Sequence, residues 1–318
     1  MTFVQVDAWL RLAALAPSPL NTQPWRFRVT PSHIELWSDP ARGLPVADPA
    51  GRERTIACGC ALLNLRAAGA ASGCDEAVEL LPDPASPGLL ARVRLTEGPP
   101  DAGLAALAPA IERRRSTRRA LEHTPLPGGL LDALAAEAAA EGAGLLPVDG
   151  RAAREALAEL IADADRRLHH DPAWRREQAR WIHPGRTADG LPASRLGGRA
   201  LRFLLGHFDF GGTSAGRDEV FVLHAPAVVL LATPGDEPLD WLRVGQALER
   251  VLLRAALQDI HAGYLQGPLQ LPDLRERLAA AFTPGRMPQV CLRLGRPVDP
   301  PDPRRRRPVA EFAEFVPA

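Results

Sequence analysis

Five of the seven residues from Arg113 to Arg119 are arginine, with Ser116 and Thr117 between them. Guanidinium groups at that density repel one another. A bound dianion relieves the repulsion, because arginine pairs phosphate oxygens two at a time and a serine hydroxyl donates from the same turn. A solvated basic face is the plainer reading of such a run. A second stretch, Ala16 to Trp25, reads Ala-Pro-Ser-Pro-Leu-Asn-Thr-Gln-Pro-Trp. Pro17 and Pro19 cannot extend a helix, so the chain turns there. Ser18, Asn21, Thr22 and Gln23 then offer a polar corner ahead of Arg26 to Thr30, an alternating run expected to be an edge strand. A proline-rich connection between helix and strand accounts for the same residues without any chemistry. The third run, Arg304 to Arg307, precedes Pro308, Val309, Phe312 and Phe315, a pattern expected of a basic tail that docks through its apolar end.

Other chemistry is excluded by what the chain lacks. All 38 residues counted as Lys or Arg are arginine. Without lysine there is no pyridoxal Schiff base, no P-loop phosphate lysine and no lysine general base. The four cysteines, Cys58, Cys60, Cys74 and Cys291, form no Cys-x-x-Cys pair and read as buried free thiols in a reducing cytoplasm. His169 and His170 are adjacent, without a second helical ligand, and read as a solvated helix end; no metal is expected. No Gly-x-Ser-x-Gly turn marks a hydrolase. Net charge is zero, which gives no general attraction to nucleic acid or to an anionic membrane, and no apolar run approaches the length of a membrane span.

The 318 residues, 46% of them hydrophobic, suffice for two domains or one large core. Apolar spacing predicts a helix over 2–15, strands over 26–30 and 34–37, and a long helix over 51–71 opened by Asp48-Pro49. Strands over 77–81 and 91–96 complete a first α+β unit, residues 1–100. Helices over 104–112, 129–141 and 241–257 and strands over 219–231 and 290–294 belong to a second unit, 101–318. It carries an insert at about 152–218, rich in aromatic residues and glycine, that reads as a lid.

Family resemblance adds to this. Ala-Pro-Ser-x-x-Asn-x-Gln-Pro-Trp at 16–25 and Arg114-Arg-Ser-Thr-Arg118 resemble the two FMN-contacting motifs of the nitroreductase-like flavoproteins, here in inverted order. With Arg54 to Gly73, Asp240 through Leu269 and the Arg-Arg-Pro-Val ending at Val309, nearly the whole chain resembles the Acg-type branch, single chains built like a fused nitroreductase dimer. The resemblance implies the α+β nitroreductase-like fold with two pseudo-repeated units, FMN as cofactor and NAD(P)H as electron donor. It implies contacts from Pro17, Ser18, Asn21 and Gln23 and phosphate or ribityl contacts from Arg114, Arg115 and Ser116. Arg118 would face the pyrimidine edge of the flavin, Leu265, Gln266 and Gly267 its ring, and Arg306 and Arg307 its phosphate.

The activity implied is hydride transfer from NAD(P)H through flavin N5 to a small electron acceptor such as a nitroarene or quinone. No side chain serves as catalytic acid, since the flavin carries the chemistry. The alternative is a flavin-sequestering protein of the same fold with a closed lid. Each motif occurs once, so one site per chain, joined from both halves of a monomer, is expected.

Overall fold

The computed structural model describes residues 2–185, 188–299 and 305–317, and within them all side chains except those of residues 192, 195, 196 and 213–215. Two helices packed against each other form the middle of the molecule, and each carries a sheet on its outer side.

The first half opens with α1, Phe3–Ala13, capped by Thr2, whose hydroxyl accepts from Gln5 N while Gln5 Oε1 accepts from Thr2 N. Strands β1, Trp25–Val29, and β2, Ile34–Ser38, pair antiparallel. Helix α2, Arg52–Ala71, begins where Asp48 accepts from the amides of Glu53 and Arg54 and Gly51 takes a left-handed φ of 73°. The aspartate satisfies amides that an α-helix start leaves without partners. Strands β3, Cys74–Leu80, and β4, Leu89–Glu97, follow. Next come α3, Ala102–Leu107, α4, Leu130–Ala140, and a strand the sequence reading missed, β5, Gly144–Pro147.

The insert folds as α5, Arg151–His170, α6, Pro172–Arg180, the short parallel ribbon of β6, Ile182–Pro184, and β7, Leu191–Ala193, then α7, Arg195–His207, and α8, Gly211–His224. After it come β8, Ala227–Thr233, α9, Pro238–Ala256, β9, His261–Tyr264, α10, Pro272–Phe282, β10, Met287–Gly295, and β11, Ala313–Phe315.

The strands assemble as β11-β1-β2-β4-β3 and β5-β8-β10-β9. Two expectations are corrected. Residues 219–224 are helical, and the strand expected over 219–231 starts at Ala227. An apolar run fits either state by periodicity, and Pro226, which cannot continue a helix, sets the boundary. Nor is β1 an edge. Phe27, Arg28 and Val29 pair in parallel with Ala313, Glu314 and Phe315 of the tail, a partner too remote in sequence to be read locally. The tail docks as expected, with Phe312 buried and edge-on to Phe27.

Helices α2 and α9 cross at Gly59 and Gly245. A Cβ on Gly59 would lie 2.4 Å from Leu242 O, and one on Gly245 would lie 2.2 Å from Ile56 O. Both glycines are therefore needed for the backbones to approach this closely. The buried cluster around this crossing is continuous from Val6 of α1 and Trp25 of the first sheet to Leu231 and Leu292 of the second. One core thus supports both sides of the site described next.

Candidate functional site

The proline-rich corner is strained. Leu20, Asn21 and Gln23 hold φ of 49°, 58° and 53°, a region that costs residues other than glycine about 1 kcal/mol or more and that needs surrounding structure to hold it. Gln23 supplies much of that hold, being fully buried with every polar atom committed. Its amide donates to Ser18 Oγ, its side-chain Nε2 to Ala188 O, and its Oε1 and carbonyl accept from Arg307. Asn21 is half-buried; its Nδ2 donates to Gly190 O and Arg305 O, and its Oδ1 accepts from Arg306 at 3.0 Å. Pro17 is buried beside Ser18.

The tail and the arginine-serine segment reach the same place. Arg306 donates to the carbonyls of Ala14, Leu15 and Ala16 at the end of α1. Arg114, 3% exposed, donates to Leu15 O at 2.9 Å and to Ser116 Oγ at 3.3 Å, and its Nε lies 3.3 Å from the buried Glu249 of α9. Ser116 itself is exposed. It bridges Ala262 of β9 in parallel, and Thr117 N donates to Ala262 O. Arg115 is half-buried with its guanidinium on the carbonyls of Glu112 and Arg114, and Arg118 is exposed. Arg304 lies outside the described residues.

These contacts concentrate positive charge. Burial, and then the charge of Arg114, push the Arg306 guanidinium down to about 9, with Glu249 opposing and Arg115 adding to the fall. Burial and Arg114 also lower Arg115. Arg306 remains cationic at neutral pH, and Arg114 lies beside the carboxyl of Glu249. Burial also raises the phenol of Tyr264 far above its ordinary range, with Cys60, Arg114, Glu249 and Ser116 all bearing on it. Its buried Oη makes no hydrogen bond of good geometry. The guanidinium groups of Arg114, Arg115 and Arg306 beside the exposed Ser116 form a donor set suited to a phosphate monoester.

The other expected contacts lie elsewhere. Leu265 is buried and its amide donates to Cys291 O, while Gln266 Oε1 accepts from Cys291 N. A Cβ on Gly267 would come within 3.1 Å of Ala164 Cβ. The close approach that this glycine permits is therefore to α5. Arg307 turns away from the Arg306 cluster, its Nη2 donating to the carbonyls of Gln23 and Trp25 and its guanidinium 5.5 Å from the Phe312 ring centre.

The sequence reading missed Leu15, Glu249 and Arg42. Leu15 acts through a carbonyl, which any residue type provides, and Glu249 stands in an otherwise ordinary helical pattern. Arg42 donates to Thr22 O, pairs with Asp189, and lies 5.4 Å from the Trp181 ring centre. Although burial raises the Asp189 carboxyl, the hydrogen bond and charge of Arg42 outweigh it and hold the pKa low. Glu177 of α6 accepts from the amides of Val46 and Ala47. The insert is thus fastened to the first half at Arg42, Val46 and Ala47 and reaches the corner through Ala188 and Gly190.

No family model matches the chain. A relative from Mycobacterium tuberculosis, "Putative NAD(P)H nitroreductase Rv3131", is 34% identical over 96% of this chain and 90% of its own length. The chain belongs to the NAD(P)H nitroreductase family. A second relative, "Putative NAD(P)H nitroreductase acg" from the same organism, is 29% identical over 96% of this nitroreductase-family chain and 94% of its own. Among solved structures, iodotyrosine deiodinase bound to FMN and 3-iodo-L-tyrosine superposes with a TM-score of 0.43 at 16% identity, covering 63% of this chain and 94% of that one. A nitroreductase with bound FMN from Bacteroides fragilis gives 0.40 at 16% identity, over 63% and 93%.

Proposed function

We propose that this nitroreductase-family chain is an FMN-dependent NAD(P)H oxidoreductase, with the FMN phosphate held at the Arg114–Ser116–Arg306 cluster. The observation that carries the reading is the convergence of Arg114 and Arg306 on Leu15 O beside the exposed Ser116 hydroxyl. When bound, FMN supplies the redox chemistry, taking a hydride from NAD(P)H and passing two electrons to an electrophile. Overall, NAD(P)H, a proton and a quinone become NAD(P)⁺ and a hydroquinone; a nitroarene is reduced by the same exchange to a nitroso compound and water.

The chain's own residues bind and orient. Arg114, Arg115 and Arg306 neutralise the phosphate dianion, and Ser116 donates to it from the edge of β9. The exposed guanidinium of Arg118 is the residue assigned to the pyrimidine edge, where a fixed cation favours developing negative charge. Ser18 and Asn21 supply the corner that faces the cofactor from the other half. One FMN per chain follows, in a monomer whose halves, 1–100 and 101–318, act as the two subunits of a fused dimer. We place it in the cytoplasm, where its cysteines stay reduced.

A specific observation favours the second reading, a flavin store with little turnover. The amides of Asn21 and Gln23 are already bonded to carbonyls of the insert, Gly190 O and Ala188 O, so the structure is closed over the corner.

The test is purification with added FMN and anaerobic titration with NADH or NADPH. The reading expects a yellow protein with one flavin per chain that bleaches within a turnover time; the store expects the same colour without bleaching. Ser116→Ala, at an exposed position, should keep the fold and lose about 1.5 kcal/mol or more of flavin affinity, roughly tenfold. Unchanged affinity would remove the phosphate from this cluster.

A further inference from the structure

We propose that Arg293 is a positioning residue for Arg118, holding the backbone on either side of it and so fixing where its guanidinium stands at the cofactor. Strand β10 sends Leu292 and Leu294 into one buried cluster and Cys291 into another. Arg293, between them and 2% exposed, occupies a place where an apolar residue would ordinarily pack. A charge buried in a sheet costs stability unless its donors are met. The arginine-serine segment meets them. Arg293 Nη2 donates to Arg119 O at 2.7 Å and reaches Thr117 O at 3.5 Å, the carbonyls of the two residues that flank Arg118.

The surrounding fold clears a path for this contact. Gly263 of β9 stands directly opposite Arg293 in the ladder, and a Cβ there would lie 2.5 Å from the guanidinium Nε. The missing side chain lets the arginine cross β9 to the segment beyond it. The guanidinium carbon lies 4.1 Å from the ring centre of Phe221 on α8, a cation–π contact that burial strengthens. Burial lowers the Arg293 pKa to about 10, with Asp218 opposing and Arg217 adding to the fall, so the group stays cationic at neutral pH. Along the segment, Thr117 N donates to Ala262 O before Arg118, and Glu122 N donates to Arg296 O after it. Arg293 acts on the stretch between these ties. Because an exposed arginine samples many rotamers, the backbone beneath it decides what it can reach. The proposal rests on the flavin reading for the place of Arg118, and its test separates the two.

The test is the midpoint potential of bound FMN in the full-length protein, for Arg118→Gln, Arg293→Met and the double variant. A cation at the pyrimidine edge favours the reduced flavin. Arg118→Gln should therefore weaken reduced relative to oxidised binding about tenfold, which lowers a two-electron potential by about 30 mV. Arg293→Met should act in the same direction by about threefold or more, and the double variant should match Arg118→Gln, because one residue works through the other. In the flavin-free protein, Arg293→Met should speed amide exchange at residues 118–120 about tenfold or more. Gly263→Ala keeps the arginine but fills its path, so it should shift the potential as Arg293→Met does, and it carries the test where that variant fails to fold. A potential that moves with Arg118→Gln but with neither Arg293→Met nor Gly263→Ala would overturn the proposal and leave the flavin reading standing. Additive shifts in the double variant, or unchanged amide exchange, would overturn it as well. If Arg118→Gln itself leaves the potential unchanged, the flavin edge is not at Arg118 and both readings fall.

Discussion

Arg114 and Arg306 donate to one acceptor, the carbonyl of Leu15, at 2.9 and 3.0 Å. They arrive from opposite parts of the sequence, and α1 ends where they meet. A single backbone oxygen thereby ties the arginine-serine segment, the C-terminal tail and the proline-rich corner together. Their mutual repulsion is tolerated because Glu249 lies below them and carbonyls surround them.

Truncating Arg306 removes donors to four carbonyls and to Asn21 at once. Arg306→Ala should cost about 2 to 4 kcal/mol of stability in urea unfolding and lower FMN affinity at least tenfold. Arg306→Lys should restore little, since an ammonium cannot reproduce the fork of bonds. Full rescue by lysine would mean that charge alone matters here.

The helix crossing offers a prediction whose sign opposes helix propensity. Replacing glycine by alanine inside a helix normally gains about 0.5 to 1 kcal/mol. At Gly245 the new Cβ meets Ile56 O, a backbone atom that cannot rotate aside. Gly245→Ala should destabilise by about 2 kcal/mol or more, measured by thermal melting. A stabilised variant would show that α2 and α9 can separate without cost.

Closure of the insert can be tested at Arg42, whose partners Thr22 and Asp189 lie on the corner and the insert. Arg42→Ala should loosen that tie and speed anaerobic reduction of bound flavin by dithionite or NAD(P)H, by a factor of about 3 to 10 if opening limits access. Identical rates in stopped flow would mean that the insert does not limit access to the ring.

Asp165 supplies the pH dependence. It sits on α5 with one carboxylate oxygen buried and unpartnered. Burial first, then Asp218, push its pKa from 3.8 up to about 7, against Arg217 and Arg166. The folded state therefore favours the protonated form. The stability this gives is complete below about pH 4 and is lost as pH rises through about 7. Asp165→Asn should match the parent protein at pH 4 and exceed it at pH 8 by roughly 1 to 2 kcal/mol. An equal difference at both pH values would assign the effect to packing.

What the sequence determined by itself was local. Periodic apolar spacing marked α1, α2, α4 and α9, Pro17 marked the end of α1, and the apolar residues after Arg307 marked a docking tail, because each signal is carried by neighbours in the chain. The sequence also singled out Ser18, Asn21, Gln23, Arg114, Ser116 and Arg306, through their types and their resemblance to known motifs. What these residues do to one another was decided by tertiary structure. The left-handed backbone at Leu20, Asn21 and Gln23 persists because Arg306, Arg307 and the insert hold it. Strand β1 lost its expected edge to β11, and Gly267 turned its open side to α5. The apolar run before Pro226 became helix α8 packed on α5 rather than strand. In each case the deciding partner is remote in sequence, and a backbone carbonyl such as that of Leu15 leaves no mark in the identity of its residue.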